Sequence, residues 1–153
     1  MIAFRIAGRR HKIFDGTGAA EYGGRWNSPG RAVIYAAGSL SLAMLEQLAH
    51  AAIGRFPLGH RFIEITIPDS VSVERVDPRT AAGWDADDQI ASRAFGDRWL
   101  AERRTCILLT PSVIVPIERN VVMNPAHKDF SGVVASSPRN LHWDDRLRAF
   151  ITR

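Results

Sequence analysis

The hydrophobic pattern of this chain switches between the two-residue period of strands and the longer period of helices. Residues 1–6 alternate like an opening strand, and residues 32–36 form an apolar run that is too short for a helix and rich in branched and aromatic side chains. Residues 61–67 alternate again before Pro68, and residues 71–76 indicate another strand. These segments predict a sheet-rich first half.

Two further segments have helical spacing. The first begins at about Ser41 and has Gly54 as its expected stop. Its apolar positions are Leu42, Leu45, Leu48, Ala49, Ala52 and Ile53. In the second, over residues 89–103, Asp85 to Asp88 can form the cap, and the acidic and arginine side chains are expected in solvent. The side chains expected to face inward are Ile90, Ala94, Trp99 and Leu100.

The remaining segments are less regular. Residues 107–116 combine branched residues with Pro111 and Pro116, which is typical of an edge or bulged strand. A polar turn is expected from Asn120 to His127, and a short docking helix with Leu147 and Phe150 within the tail, residues 136–153. Together these elements predict an α/β chain of the α+β type.

Length and composition indicate one domain over residues 1–153. The 46% hydrophobic and 24% charged content is ordinary for a globular protein, and no repeat or linker is visible. The first residues lack the apolar core of a signal peptide, and no apolar stretch is long enough to span a membrane, so we expect a cytoplasmic protein. Cys106 is the one cysteine and is expected to be an inert core thiol. The five histidines show no metal-ligand spacing, so no metal is expected.

The chain is basic, with a net charge of +4 that comes almost wholly from arginine. Such a charge is compatible with nucleic acid, an acidic protein partner or a small molecule that carries phosphate. The arginines are scattered and no nucleic-acid-binding motif is visible, so direct nucleic-acid binding is not expected.

The stretch from Gly23 to Glu46 carries the candidate chemistry. The two glycines before Arg25 allow a tight turn and a close approach to a ligand, and the guanidinium is suited to phosphate. Tyr35 lies near a strand end, and Glu46 lies on the first helix among apolar neighbours. A carboxylate in that setting indicates either a catalytic group or a structural pair, with His50 or with an arginine.

These residues belong to a longer pattern that resembles the RES domain, the toxin half of bacterial RES/Xre toxin–antitoxin pairs. The matching segments cover nearly the whole chain in order. They are Phe4-Arg5, Phe14-Asp15-Gly16, residues 23–27, Tyr35, residues 42–46, Pro111-Ser112, Asn120 and residues 124–127. The arginine, tyrosine, glutamate and serine of the family fall on Arg25, Tyr35, Glu46 and Ser112.

The resemblance implies a compact fold similar to ADP-ribosyltransferases of the diphtheria-toxin kind, with NAD as the consumed substrate and no metal. It implies catalytic roles for Glu46, Arg25 and Tyr35, and NAD contacts by Arg25, Tyr35, Ser112 and Asn124. Glu46 would stabilise the positive charge that develops on the ribose, and Arg25 would hold the pyrophosphate.

The resemblance implies an Xre-type helix-turn-helix antitoxin that covers the active site. Members of the family differ in the acceptor of ADP-ribose, and the basic charge of this one-domain chain favours a cytoplasmic protein as the acceptor. Water or phosphate as the acceptor would instead make the chain an NAD glycohydrolase or phosphorylase that depletes NAD. From a different class, a non-catalytic basic binding module would use Arg25 and Glu46 as a structural pair. A nuclease is disfavoured, because no carboxylate cluster for magnesium and no His pair is visible.

Overall fold

A computed structural model describes residues 1–10, 12–51 and 56–147, and these ranges form a mixed α/β fold around one sheet. The strands are β1 (Ile2–Gly8), β2 (Ile34–Ala37), β3 (His60–Thr66), β4 (Val73–Arg75), β5 (Ile107–Pro111), β6 (Arg119–Met123), β7 (Val134–Ala135) and β8 (Arg139–Asn140). The helices are α1 (Thr17–Tyr22), α2 (Leu40–His50), α3 (Ile90–Glu102) and a 3-10 helix over Lys128–Gly132. The predicted α/β class is confirmed.

The strands lie across the sheet in the order β4-β5-β6-β2-β1-β3-β7, and β8 also pairs with β3. β4 and β5 are parallel, and all other described pairs are antiparallel. In the register of β2 with β6, Tyr35 lies opposite Val122 and Ala37 lies opposite Asn120. Because side chains alternate along a strand, these four share one face of the sheet.

Both long helices cover that face. α2 packs on it through a cluster that includes Ile6, Ala37, Leu42 and Ala43. α3 packs on it through a second cluster, whose buried members are Trp26, Val33, Val76, Trp84, Trp99, Leu108 and Val122. The largest cluster fills the opposite face, where Phe14 and Phe130 stack on each other. The two helices therefore flank a gap above Tyr35 and Asn120.

α2 begins where the sequence predicts. Ser39 is the N-cap, and its Oγ accepts a hydrogen bond from the Leu42 backbone N–H at 3.1 Å. The helix ends at His50, and the residues expected to close it, Ala52, Ile53 and Gly54, lie outside the described residues. Leu42 is fully buried but Leu45 is 42% exposed, so only part of the expected apolar stripe faces the core.

α3 has nearly the predicted bounds, but the predicted inward face is wrong for two of its four residues. Ile90 is 69% exposed and Ala94 is exposed, while the buried residues are Ser92, Gly96 and Trp99. The reason is backbone contact: a Cβ built on Gly96 would lie 1.9 Å from the carbonyl oxygen of Trp26. The helix backbone therefore approaches the 23–27 turn at Gly96, while Phe95 and Trp99 pack in the same cluster as Trp26.

Two local predictions need correction. β5 is an interior strand between β4 and β6 and all five of its residues are buried, because Pro111 occupies only its last position. Asn120 lies in β6 and not in the polar turn. Of the expected tail helix, Phe150 lies outside the described residues, whereas Trp143 is buried against Phe56.

Cys106, immediately before β5, is fully buried as expected. Burial raises the pKa of its thiol to about 11. No helix in the described ranges combines the length and the apolar character needed to cross a membrane.

Candidate active site

An open cleft lies in the gap between α2 and α3. Its volume is about 580 Å³, which is in the range of small-molecule sites. One wall is α2 with Glu46 and His50, and the other is the 23–26 turn with the start of α3. A smaller hollow of about 160 Å³ shares Tyr35, Glu46, His50 and Asn120 with the cleft, so these four side chains lie where the two spaces meet.

Glu46 is held in one orientation by two neighbours. Its Oε1 accepts hydrogen bonds from Asn120 Nδ2 at 2.7 Å and from Ser112 Oγ at 3.1 Å. Its Oε2 is 3.7 Å from His50 Nε2, on a histidine whose side chain is 80% exposed. The Glu46 side chain is 22% exposed, so the carboxylate is fixed from below and still reaches the cleft.

Ser112 positions Glu46 and does not line the cleft. Its side chain is fully buried, and its Oγ accepts from the backbone N–H groups of Ile114 and Val115, each at 3.1 Å. With its one proton donated to Glu46, the hydroxyl has used its hydrogen-bonding capacity. The nucleotide contact expected for Ser112 therefore has no support in the geometry.

Tyr35 holds the turn that carries Arg25. Its hydroxyl donates to Asn27 Oδ1 at 2.7 Å and accepts from the Trp26 backbone N–H at 3.0 Å. Burial raises the pKa of this hydroxyl well above its usual range, so Tyr35 stays neutral. Its ring still lines both the cleft and the smaller hollow.

The two glycines of the turn are required by geometry. Gly23 has a φ of 72°, a left-handed conformation that favours glycine. A Cβ on Gly24 would lie 2.6 Å from the Tyr35 hydroxyl oxygen. The expected close approach at this turn is thus made by the Tyr35 ring itself.

Arg25 reaches the cleft with part of its guanidinium engaged. Its Nη1 donates to the carbonyl oxygens of Trp84 and Ala86, at 3.0 and 2.9 Å. These bonds tie the turn to the loop before α3 and leave Nε and Nη2 without a hydrogen-bond partner among the described residues. No ion pair joins Arg25 to Glu46 within those residues, so that structural pair is not formed, whereas the alternative partner considered from the sequence, His50, lies 3.7 Å from Glu46.

Arg93 lines the cleft, but the sequence analysis did not identify it as a site residue. The arginines of this helix were expected on its solvent-exposed face. Its Nε donates to the Gly24 carbonyl oxygen at 2.9 Å, and its Nη2 donates to Gln89 Oε1 at 3.0 Å. Gln89 and Arg93 both line the cleft beside Arg25. No sequence pattern around Arg93 identifies it as a site residue.

Asn120 was also missed as a site residue, and Asn124 lies elsewhere. Asn120 is the second residue of β6 and bonds Glu46, whereas Asn124 follows the other end of that strand. The Asn124 backbone N–H donates to the Cys106 carbonyl, and its Oδ1 accepts from the Ala126 N–H. Asn124 is 3% exposed and does not line the cleft, so the NAD contact expected for it has no support either.

Arg5 belongs to the family pattern, but the sequence analysis gave it no role. In the structure it lines the smaller hollow and stabilises the backbone there. Its guanidinium donates to the carbonyl oxygens of Ile13 and Tyr35, both at 2.6 Å, and to that of Asp15 at 3.4 Å. Within the described part of the chain, no group of three or more His, Cys, Asp or Glu side chains is arranged to hold a metal ion.

The fold and the site define a small α/β protein with a cleft that has a carboxylate on one wall and two guanidinium groups on the other. The RES domain model matches residues 2–144, and the chain belongs to the RES domain family. The resemblance drawn from the sequence is thereby confirmed.

Named relatives cover most of the chain. It is 44% identical over 137 residues to the "Prs ADP-ribosylating toxin" of Sphingobium sp. (strain YBL2), which covers 87% of this chain and 85% of that protein. It is 37% identical over 153 residues to "Toxin Res" of Yersinia enterocolitica, which covers 97% of this chain and 100% of that protein.

A solved structure has the same fold. It is a chain of the crystal structure of the M. tuberculosis MbcT–MbcA toxin–antitoxin complex, with a TM-score of 0.75 and 20% sequence identity. The match covers 99% of this chain and 88% of that chain. At this identity the likeness concerns the fold.

Proposed function

We propose that this chain is the toxin of a toxin–antitoxin pair and an enzyme that consumes NAD. It cleaves the bond between nicotinamide and ribose and transfers ADP-ribose to an acceptor, with a protein as the favoured acceptor. The observation that carries the proposal is Glu46, a carboxylate fixed by Ser112 and Asn120 at an open cleft. The names of the RES relatives support the toxin role and the use of ADP-ribose.

Glu46 supplies the electrostatic part of the reaction. As the glycosidic bond breaks, positive charge builds on the ribose, and a fixed carboxylate stabilises that charge without having to reorient. Oε1 is held by its two donors, so Oε2 is the oxygen that faces the ribose or receives a proton from the acceptor.

Arg25 and Tyr35 place the substrate. Arg25 keeps Nε and Nη2 for the diphosphate while Nη1 fixes its orientation on the two carbonyls. Tyr35 lies where the cleft meets the smaller hollow, so its ring can cover the nicotinamide or ribose beside Glu46. In this arrangement the bond to be cut lies at the junction of the two spaces.

Two kinds of acceptor for ADP-ribose are considered, a protein and a small molecule such as water or phosphate. The relative named "Prs ADP-ribosylating toxin" supports transfer to a protein and makes Prs the first target to test. The open cleft, with Glu46 22% exposed, favours water or phosphate as the second candidate, in which case the chain would deplete NAD. Both outcomes release nicotinamide by the same first step.

We further propose an antitoxin partner, of the Xre type, that covers this cleft. The fold likeness to a chain of a toxin–antitoxin complex supports a partner of that kind. Expressed alone, the chain should arrest bacterial growth, and co-expression of its antitoxin should restore it. An antitoxin that binds the purified chain without reducing NAD cleavage would contradict the steric block.

The reaction is tested with Glu46→Gln. Glutamine keeps an oxygen for Ser112 and Asn120 but loses the charge, so the fold should persist. NAD cleavage, followed as nicotinamide release, should fall by about 10²–10³-fold, the usual effect of losing one transition-state contact. Glu21→Gln, on the exposed side of α1, is the matched control and should keep full activity. Wild-type activity in the Glu46 variant would overturn the mechanism.

A further inference from the structure

The cleft presents two guanidinium groups side by side, and only one of them has a role so far. Arg25 and Arg93 both line the cleft, and Arg93 Nε donates to the carbonyl oxygen of Gly24, the residue before Arg25. The cations therefore lie on the wall opposite Glu46. The sequence pattern and the resemblance assign nothing to Arg93.

The hydrogen bonds of Arg93 orient it without neutralising it. Its two acceptors among the described residues, the Gly24 carbonyl oxygen and Gln89 Oε1, are both uncharged. A guanidinium has five N–H donors, so these bonds leave three, including both on Nη1. Within the described residues no carboxylate lies within ion-pair distance of Arg93.

The nearest candidate carboxylate on its own helix is occupied elsewhere. Asp97, four residues on, accepts from the Ser28 backbone N–H at 3.0 Å and from Ser28 Oγ at 2.6 Å. Its carboxylate also pairs with Arg31 at 3.4 Å. The positive charge of Arg93 is thus left for the cleft.

Gln89 fixes the direction of that charge. It is the N-cap of α3 and has a φ of 58°, a left-handed conformation that is uncommon outside glycine. From this position its side chain turns back to Arg93 Nη2. A strained residue that holds a cleft side chain is a common feature of binding sites.

Resting on the proposed function, we propose that Arg93 is a second diphosphate-binding residue, which shares the two negative charges of NAD with Arg25. One guanidinium faces each phosphate, and both are held by neutral backbone or amide oxygens. Arg93 thereby contributes to the preference for a dinucleotide over a substrate without phosphate.

The test compares two substrates that contain the same scissile bond. NAD carries the diphosphate, whereas nicotinamide riboside carries no phosphate. Arg93→Gln should lower kcat/KM for NAD by about 10- to 100-fold, the cost of one charged hydrogen-bonded contact, mainly through KM. It should leave kcat/KM for nicotinamide riboside within about twofold, a margin set by the small size of indirect effects.

Arg98→Gln is the matched control, because it removes the same charge from an exposed position on the same helix. Arg98→Gln should leave kcat/KM unchanged for both substrates. Arg93→Lys should recover part of the NAD preference, since a lysine keeps the charge and loses the fork. Inorganic pyrophosphate, as a competitor of NAD, should inhibit wild type and Arg98→Gln more strongly than Arg93→Gln. Inhibition by pyrophosphate tests the role of Arg93 if the riboside is turned over too slowly to measure.

Two results would overturn this assignment while leaving the proposed function intact. The first is an equal loss on NAD and riboside with unchanged pyrophosphate inhibition, which would make Arg93 only a support for Gly24. The second is an Arg93→Gln protein with wild-type NAD kinetics. If the wild-type chain cleaves neither substrate, the proposed function itself fails, and this assignment fails with it.

Discussion

Tyr35 is a single side chain on which the geometry of the whole 23–27 turn depends. Its hydroxyl bonds two residues of the turn, Trp26 and the fully buried Asn27, while its ring packs on Gly24. Because the turn carries Arg25, the position of the guanidinium is set from the strand below it.

Tyr35→Phe removes a single oxygen atom, but that atom bonds two groups of the turn. The substitution should therefore lower the free energy of unfolding by more than the loss of one hydrogen bond. The substitution leaves the Trp26 N–H and Asn27 Oδ1 without this partner, and each unsatisfied buried group costs about 1–3 kcal/mol. Chemical denaturation should show a lower free energy of unfolding at an unchanged m-value.

The matched control for that measurement is Tyr22→Phe. Tyr22 is 75% exposed, so the same loss of a hydroxyl should change the free energy of unfolding by less than about 0.5 kcal/mol. Equal effects at the two positions would show that the Tyr35 hydroxyl does not hold the turn.

Sequence reasoning reached the residues whose signal is local and missed those that depend on contacts across the fold. Arg25, Tyr35 and Glu46 each stand out by their turn, strand or helix and by the resemblance. Arg93 and Asn120 do not, because one looks like a surface arginine and the other like a turn residue. Only the packing of α3 and the pairing of β6 bring them to the cleft.

Among the elements, α3 is placed by the absence of a side chain. Gly96 lets the helix backbone touch the Trp26 carbonyl, while Trp26 stacks with Trp84 and meets Phe95 edge to face. A glycine inside a helix costs about 1 kcal/mol relative to alanine. That cost is tolerated because the glycine allows the close contact of helix and turn, and this contact sets the width of the cleft.

Gly96→Ala should push α3 away from the turn. The new Cβ would lie 1.9 Å from the Trp26 oxygen, a backbone atom that cannot simply rotate aside. Overpacking of this kind costs about 1–3 kcal/mol, and we expect the upper end, with a matching loss of NAD cleavage as Arg25 and Arg93 move.

Gly18→Ala controls for the change of residue type. A Cβ on Gly18 in α1 meets nothing within 4 Å, so alanine there should be neutral or stabilising by up to about 1 kcal/mol. Thermal denaturation of the two variants separates packing from helix propensity. A stable and fully active Gly96→Ala protein would show that the contact does not set the cleft.

The elements themselves were only partly readable in advance. The strands and helices with clear hydrophobic periods were found, whereas α1, β6 and the two-residue strands β7 and β8 were not. A glycine-rich start hides the pattern of α1, and Asn120 hides that of β6. The inward face of α3 was misjudged for a related reason: hydrophobicity marks which residues can be buried, and here backbone contact decides which ones are.

At the scale of the whole molecule, charge and openness bear on the acceptor. The net charge of +4 favours encounter with an acidic protein. The cleft between α2 and α3 is open, so a target can dock directly on its rim, where Val113 and Ile114 are 44% and 39% exposed.

A mass balance in bacterial lysate separates the two acceptors. With NAD labelled in its adenine half, transfer to a protein should place label on a discrete band in amounts comparable to the nicotinamide released. The same reaction with purified Prs tests the target suggested by the relative. Label found only in free ADP-ribose or its phosphate would assign the chain to NAD depletion.

The buried thiol of Cys106 gives the molecule a practical property. Because the chain has one cysteine and burial raises its pKa to about 11, the native protein should react very slowly with alkylating reagents. Its alkylation rate then reports how often the fold opens around the start of β5. A cysteine introduced on the cleft rim, at Val113 for example, would be the one fast-reacting thiol, so a fluorophore placed there could follow substrate and antitoxin without a cysteine-free background.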